Sequence, residues 1–250
     1  MQIIIITRGR EGKQHTLASI PGFLKDRTWL CCPPDEGHPH QCMYEPRPMN
    51  YSEKFQWLID GADGQLTGKV LIMDDDLRFS ARVGDGPLTK AYSGEVYEGL
   101  MKLEEMLDTY PLVGLHPRAM GNNAPVGIKE CTRINAMQGV NLDTLPRMKV
   151  DYWPILADMV LNLALLTSGI KTAIWCQLFW DQVGTSNAPG GCSLHRTWEQ
   201  QKTAVLGLQA MFPKVVAVKE KVVKDGWWGP DKPRFDFVIQ WRKAYELGNA

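Results

Sequence analysis

The sequence predicts an α/β fold in which one open, mostly parallel sheet carries helices on both faces. Short apolar runs rich in β-branched residues, such as residues 2–7 and 69–73, alternate with longer segments of helical periodicity. Several of these runs pass directly into polar residues, as buried strands do where they reach the edge of a sheet. Strands that alternate with helices imply a sheet that is covered on both faces.

The individual elements follow from periodicity and from the residues that bound them. The predicted strands are residues 2–7, 29–32, 69–73, 112–115, 172–179, 215–218 and 235–241. The predicted helices are residues 52–59, 94–110, 158–167 and 197–211. Pro33 and Pro34 close the second strand, Ser52 is placed to cap the first helix, and Gly169 stops the third. Residues 184–191 are rich in Gly, Ser, Asn and Pro, which predicts a loop.

Length and composition are those of a globular protein that can bury a substantial core. The chain has 250 residues, of which 44% are hydrophobic, and its 28 basic and 28 acidic residues give no net charge. No global field therefore draws it to nucleic acid or membrane, and any such attraction needs a local patch. The apolar residues 3–6 are too few for a signal peptide, and residues 159–166 are too few to span a bilayer. We interpret the six irregularly spaced cysteines as reduced thiols of a cytoplasmic protein.

Two polar clusters are predicted to meet at one edge of the sheet. The sequence Thr-Arg-Gly-Arg, residues 7–10, follows the first strand, and three aspartates, residues 74–76, follow the third. In such sheets, ligands bind outside the carboxyl ends of the strands. Adjacent carboxylates repel one another, and a divalent cation with oxygen ligands compensates that repulsion. In an extended segment Asp74 and Asp76 would face one pocket while Asp75 turns aside. The alternative is an acidic turn that is solvated or caps a helix.

The motifs together resemble those of the GT-A fold glycosyltransferases, a Rossmann-like family. The similarity is closer to the phage TET-associated glycosyltransferases, which add sugars to 5-hydroxymethylcytosine in DNA. The stretches that carry the resemblance are residues 4–10, 69–79, 116–123, 158–169 and 187–196. The resemblance implies a single GT-A-like domain over residues 1–250. Residues 1–110 would form its nucleotide-sugar-binding half, and residues 111–250 its acceptor-binding half with a basic C-terminal segment.

The same resemblance implies a role for particular residues. The donor, a nucleoside-diphosphate sugar and most simply a UDP-sugar, would be bound by Thr7, Arg8, Arg10, Lys54, Asp74, Asp75, Gly190, Gly191 and Arg196. Mn²⁺ or Mg²⁺ would be held by Asp74, Asp76 and His195. The acceptor would be contacted by His116, Arg118, Asn122, Trp227 and Trp228. The alternatives are structural roles, such as a solvated loop for Arg8 and Arg10 or helix capping for His195.

The catalytic base is predicted among three aspartates. Asp158 lies where many GT-A enzymes place an acidic residue near the acceptor hydroxyl. It is preceded by Ala157, a position at which Glu or Asp is common, so Asp151 and Asp181 remain competitors. An inverting sugar transfer needs one carboxylate to take the acceptor proton. The alternative role for Asp158 is a helix-terminal charge favoured by the macrodipole.

Two further clusters allow more than one interpretation. Cysteines and histidines gather at Cys31, Cys32, His38, His40 and Cys42, but the spacing matches no standard zinc site, and buried thiols with loop histidines are the competing interpretation. Within residues 214–243, eight basic residues stand against four acidic ones, with Trp227 and Trp228 among them. Such a segment suits phosphate contact and base stacking, or else it is a solvated strand–turn–strand.

The sequence is compatible with three functions. The first is a glycosyltransferase that acts on a hydroxymethylated base in DNA, which it must extrude from the duplex. It would work in the cytoplasm, the host's cytoplasm for a phage protein, with no membrane and no obligate protein partner. The second keeps the fold but changes the acceptor to a saccharide, lipid carrier or protein. The third is a non-catalytic nucleotide or nucleic-acid binding module, and the three aspartates argue against it.

Overall fold

The protein is described by a computed structural model that covers residues 1–84, 86–183, 197–222 and 232–250. Its strands are β1 (Gln2–Ile6), β2 (Thr28–Cys32), β3 (Cys42–Tyr44), β4 (Lys69–Asp74), β5 (Leu77–Arg82), β6 (Leu88–Lys90), β7 (Leu112–Pro117), β8 (Ile128–Glu130), β9 (Met137–Asn141), β10 (Ala173–Gln182), β11 (Val216–Lys221) and β12 (Arg234–Ile239). Its α-helices are α1 (His15–Ser19), α2 (Tyr51–Ile59), α3 (Ser93–Met106), α4 (Ala157–Thr167), α5 (Trp198–Met211) and α6 (Trp241–Gly248).

A ten-stranded mixed sheet organises these elements. The strand order is β3-β2-β1-β4-β9-β7-β10-β5-β6, and β8 pairs with the first part of β10. Strands β5, β8 and β9 run against the others, so the sheet is mostly parallel, as the sequence predicts. Strands β9, β7 and β10 lie between β4 and β5, so residues 1–110 and 111–250 build one sheet together.

The central strands are apolar throughout because each of their faces packs against a separate core. Ile3 and Ile5 of β1 lie in one core, and Ile4 lies in the other. Strand β4 alternates in the same way, since side chains of a strand point to opposite faces in turn. Helix α3 packs in the core with Ile3, while α2 and α4 pack in the core with Ile4.

The structure corrects several predicted boundaries: α3 ends at Met106, β10 extends to Gln182, and two others concern a helix cap and the last strand. The N-cap of α2 is Asn50 rather than Ser52, because the Asn50 side chain accepts from the backbone N–H of Glu53 at 3.0 Å and Glu53 accepts in return from Asn50 at 2.9 Å. Ser52 is buried inside the helix. The last predicted strand stops at Ile239, and Trp241 begins α6.

A separate two-stranded ribbon, β11 with β12, completes the fold. Its inner face joins the main body through Val216, which lies in the core with Ile4, and through Phe235, whose ring lies 5.8 Å from that of Trp198 in α5. None of the helices among the described residues is long and apolar enough to cross a membrane.

Candidate functional site

The structure places the loop after β1 and the three aspartates at the same edge of the sheet. Strands β1 and β4 are parallel neighbours, and their register pairs Ile6 with Asp74. Thr7 therefore follows β1 beside the point where β4 ends. The chain then turns through Asp75 and Asp76 before β5 begins at Leu77. Both clusters thus lie where ligands bind in open α/β sheets.

The middle aspartate holds the loop. Asp75 is buried, and one of its carboxylate oxygens accepts from the Thr7 hydroxyl at 2.6 Å. The other oxygen accepts from the Arg10 guanidinium at 2.5 Å, and Arg10 also reaches Asp76 at 3.1 Å. Burial raises the pKa of Asp75, while the Thr7 hydrogen bond and the Arg10 charge lower it without cancelling the rise.

Thr16 fixes the backbone of the acidic turn, although no sequence motif marks it. Its hydroxyl donates to the carbonyl of Asp74 at 2.6 Å and accepts from the N–H of Leu77 at 2.8 Å. Its own N–H donates to the carbonyl of Asp75 at 3.0 Å. This buried side chain in α1 therefore ties the loop after β1 to both ends of the turn.

The outer two aspartates face a common point on β10. The side-chain amide of Gln182 lies 3.5 Å from a carboxylate oxygen of Asp74 and 3.4 Å from one of Asp76. The backbone N–H of Val183 donates to the Asp76 carbonyl at 2.8 Å. Asp74 and Asp76 thus share the contact with Gln182, although Asp76 is also paired with Arg10.

Negative charge is concentrated at this point. Burial raises the pKa of Asp74 well above its ordinary value, and the charges of Asp76, Asp75 and Asp158 raise it further, while Arg10 opposes them. Asp158 lies in the first turn of α4 and is 8% exposed. Such an arrangement favours either protons or a cation between the carboxylates.

The three candidate bases occupy different environments. Asp158 is the one whose charge acts on Asp74. Asp151 is partly buried and pairs with Lys149 at 3.3 Å. Asp181 is about half exposed, and its carboxylate lies 3.8 Å from the guanidinium of Arg118.

Beneath the loop lies a buried ion-pair network centred on Glu45, which sequence reasoning missed. One Glu45 oxygen contacts the Lys54 ammonium, and the other accepts from Arg8 at 3.1 Å and from the N–H of Met49 at 2.8 Å. Lys54 also donates to the carbonyls of Thr7 and Cys31, at 3.2 and 3.4 Å. Lys54 and Glu45 are each only 2% exposed. The ammonium of Lys54 thus supports the loop from below, and the predicted contact of Lys54 with the donor stays a prediction.

The predicted acceptor residues separate into buried and exposed ones. His116 is 4% exposed, its Nδ1 donates to the carbonyl of Pro117 at 2.8 Å, and its ring packs on Phe179 at 5.7 Å. Burial lowers its pKa, although the hydrogen bond to Pro117 raises it. His116 is thus a buried residue that packs on Phe179, and its predicted contact with the acceptor stays a prediction. Arg118 and Asn122 lie exposed on the short helix Arg118–Asn123.

Six predicted site residues lie outside the described part of the chain. They are Gly190, Gly191, His195, Arg196, Trp227 and Trp228.

The cysteine and histidine cluster shows ordinary structural contacts. Within the described ranges, no group of three or more His, Cys, Asp or Glu side chains is arranged to hold a metal ion. Burial raises the pKa of Cys31 to about 12, which keeps it a neutral thiol. The ring of His40 contacts the carbonyl of Thr28 at 2.6 Å, and that of His38 lies 3.3 Å from Glu36. These contacts favour buried thiols and loop histidines over a zinc site.

Comparison with known proteins finds distant structural likenesses. No protein-family model matches the sequence, and no curated protein matches it. A structure described as mannose-1-phosphate geranyltransferase from Thermus thermophilus is 11% identical, with a TM-score of 0.42 over 75% of this chain and 77% of that one. A structure described as a putative nucleotide-diphospho-sugar transferase from Desulfovibrio desulfuricans is 10% identical, with a TM-score of 0.41 over 85% of this chain and 99% of that one. Likenesses this distant carry no argument about activity, which depends on the site itself.

Proposed function

We propose that this protein is a glycosyltransferase that moves a sugar from a nucleoside-diphosphate donor, a UDP-sugar, to the hydroxymethyl group of 5-hydroxymethylcytosine in DNA. The observation that carries the proposal is the contact between the loop after β1 and the acidic turn after β4. Thr7 and Arg10 bind Asp75, Arg10 also pairs with Asp76, and both Asp74 and Asp76 lie beside Gln182 of β10. A donor diphosphate needs such a site, in which cationic groups and carboxylates that can hold a metal lie side by side.

The carboxylates fit Mn²⁺ or Mg²⁺. Asp74 and Asp76 lie near the same amide of Gln182, and the pKa of Asp74 is raised first by burial and then by the charges of Asp76, Asp75 and Asp158. Mg²⁺ sites commonly use one or two carboxylates and complete their shell with substrate phosphates and water. A site with two protein carboxylates is therefore consistent with a cation that binds together with the donor. When bound, the cation would neutralise the departing diphosphate.

The chain's own residues supply the remaining functions. Arg8 and Arg10 are held by Glu45 and Asp75, so their guanidinium groups are oriented before the donor arrives. Asp158 is proposed as the base, because it is the candidate whose charge acts on the Asp74 carboxylate. It would take the proton of the acceptor hydroxyl as the bond to the sugar forms.

DNA is proposed as the acceptor on the strength of the sequence resemblance and of one basic surface. Lys219, Lys221 and Arg234 are exposed on the ribbon of β11 and β12, beside Asp236, which pairs with two of them. Such a surface suits contact with phosphates. A cytoplasmic location, in the host if a phage encodes the protein, would bring the enzyme to both donor and DNA.

The decisive experiment offers a panel of nucleotide-sugars together with 5-hydroxymethylcytosine DNA and analyses the nucleosides by mass spectrometry. A hexose adduct on hydroxymethylcytosine is the expected product. Equal transfer to a saccharide, lipid or protein acceptor, with none to DNA, would keep the donor site and replace the acceptor.

The role of the cation is tested separately. Turnover is expected to disappear in excess chelator and to return with added Mn²⁺ or Mg²⁺. The Asp76→Asn variant should lose activity at all practical metal concentrations. Full turnover in chelator would exclude metal dependence.

A further inference from the structure

A recess with a basic lining includes Arg78, which lies two residues after the acidic turn. It has a volume of about 810 Å³ and lies between α1, the β5–β6 pair, the start of α3 and the end of β10. Its lining residues include three side chains that are positively charged at neutral pH, Arg78, Lys90 and Arg118, and one carboxylate, Asp181. His15 and Tyr92 also line it. We refer to it below as the basic cavity.

The basic cavity is connected to the proposed transfer site by two short stretches of chain. Arg78 follows Asp76 by two residues, at the start of β5. The register of β5 and β10 places Arg78 opposite Asp181, and the next residue, Gln182, is the one whose amide reaches Asp74 and Asp76. Two lining residues of the cavity, Arg78 and Asp181, thus lie within two residues of the acidic turn and of its partner Gln182.

The cationic side chains of the basic cavity have weaker carboxylate partners than Arg8 and Arg10 in the loop after β1. Arg8 and Arg10 have carboxylate partners at 3.1 and 2.5 Å. In the described part of the chain, Arg78 and Lys90 take part in no ion pair, and both are exposed. Arg118 lies 3.8 Å from Asp181, with both side chains about half exposed, where such a pair contributes little.

We propose that the basic cavity binds the sugar-phosphate backbone of the acceptor DNA strand next to the target base. The inference rests on the proposed function, because the cavity would hold the acceptor DNA next to the site where the sugar is transferred. Arg78, Lys90 and Arg118 would contact phosphates, which fix the position of a strand without reading its sequence. Tyr92 is 73% exposed at the cavity and would stack on the adjacent base of the acceptor strand, which loses a stacking partner when the target base is extruded.

The test measures binding of a duplex oligonucleotide containing 5-hydroxymethylcytosine by fluorescence anisotropy at several salt concentrations. It compares the wild type with an Arg78→Gln/Lys90→Gln variant. The slope of log affinity against log salt is expected to fall by about 0.9 for each phosphate that is no longer neutralised, and so by about 1.8 for the pair. UDP binding in the presence of Mn²⁺, measured by calorimetry, should stay unchanged.

A matched control removes the same two positive charges elsewhere. Arg27 lies just before β2, at the opposite edge of the sheet, and Lys102 lies in the second half of α3. The Arg27→Gln/Lys102→Gln variant is expected to keep the wild-type slope. Tyr92→Ala should weaken DNA binding on the order of tenfold with little change in slope, because stacking is not ionic.

Each other outcome has a definite meaning. An unchanged slope in Arg78→Gln/Lys90→Gln would overturn the inference, and so would a loss of UDP binding with DNA binding intact, which would assign the cavity to the donor. If the wild type binds no DNA, both this inference and the proposed acceptor fail. If the slope falls as expected but no sugar is transferred, the DNA site stands and the proposed activity fails.

Discussion

The guanidinium of Arg10 lies 2.5 Å from a carboxylate oxygen of Asp75, and the Thr7 hydroxyl donates to the other oxygen of the same side chain at 2.6 Å. The middle residue of the acidic triplet is therefore engaged in holding the loop after β1. The neighbours on either side, Asp74 and Asp76, lie near Gln182, and Asp76 also pairs with Arg10 at 3.1 Å. The three adjacent aspartates thus differ in their partners: Asp75 binds both Thr7 and Arg10, Asp76 pairs with Arg10 and lies near Gln182, and Asp74 lies near Gln182.

A double-mutant cycle tests the contact between Arg10 and Asp75. Arg10→Gln leaves buried carboxylates without their cation and should lower the free energy of unfolding by about 3 kcal/mol. Adding Asp75→Asn removes one of the repelling charges. We expect the double variant to be more stable than the sum of the single changes by about 0.5–3 kcal/mol, which is the coupling energy. Urea unfolding measures both values. The exposed pair of Lys102 and Glu105, 2.8 Å apart, is the control and should give a coupling under about 1 kcal/mol. Equal coupling in the two cycles would contradict the role of Asp75.

The catalytic base is tested by three isosteric substitutions. Asp158→Asn should lower turnover by about 10²- to 10⁴-fold and leave donor affinity almost unchanged, because a general base acts on the acceptor proton. Asp151→Asn and Asp181→Asn should have small effects, since these carboxylates face Lys149 and Arg118. Single-turnover kinetics with a saturating donor separates chemistry from binding. If Asp151→Asn or Asp181→Asn abolishes turnover while Asp158→Asn does not, the base is reassigned.

The central strands could be predicted from the sequence because they are buried on both faces. The runs at β1 and β4 are almost wholly apolar and end in polar residues, and the structure ends each strand within one residue of the predicted position. Strand β9 carries no such signal. Its sequence is Met-Gln-Gly-Val-Asn, and a Cβ on Gly139 would lie 2.7 Å from Val113, so that position needs a glycine in place of a β-branched residue.

The meeting of the two polar clusters at one edge of the sheet could be predicted, but their long-range partners could not. Residues that follow parallel strands meet at one edge, and this rule places Thr7 beside Asp75. Gln182 reaches Asp76 across 106 residues of sequence, because β10 lies between β7 and β5. That strand order depends on the packing of the whole sheet. Glu45, which holds Arg8 and Lys54, follows a strand of only three residues that no periodicity reveals.

His116 is expected to make stability fall in mild acid. Burial lowers its pKa below the ordinary value of 6.5, so between those two values the unfolded chain binds a proton that the folded protein does not. The stability that neutral His116 contributes is complete above pH 6.5 and is lost as the pH falls toward the lower folded pKa.

Urea unfolding at pH 7.5 and about pH 5.5 measures this effect. The loss of stability between the two should be smaller in His116→Gln than in the wild type, whatever the substitution costs at pH 7.5. His15→Gln, on α1, controls for the removal of a histidine elsewhere. An identical loss in the His116→Gln variant and the wild type would show that the buried imidazole does not contribute.

Two glycines of α3 should respond in opposite ways to the same substitution. A Cβ on Gly99 would lie 2.4 Å from Cδ2 and 3.1 Å from Cβ of Leu178, whereas one on Gly94 would meet nothing within 4 Å. Gly99→Ala should therefore lower the free energy of unfolding by about 1–3 kcal/mol, since the helix must move away from β10. Gly94→Ala should raise it by about 0.5–1 kcal/mol, because alanine loses less backbone entropy in a helix.

The packing at Gly99 also bears on the site, because β10 carries Gln182 to the acidic turn four residues after Leu178. A shift of β10 should lower turnover in Gly99→Ala, while Gly94→Ala keeps wild-type turnover. Thermal and urea unfolding together with transfer rates measure both effects. A second substitution, Leu178→Val, shortens the contacting side chain and should restore part of the stability lost in Gly99→Ala. If Gly99→Ala is as stable and active as Gly94→Ala, the close packing of α3 on β10 is not a constraint on this fold.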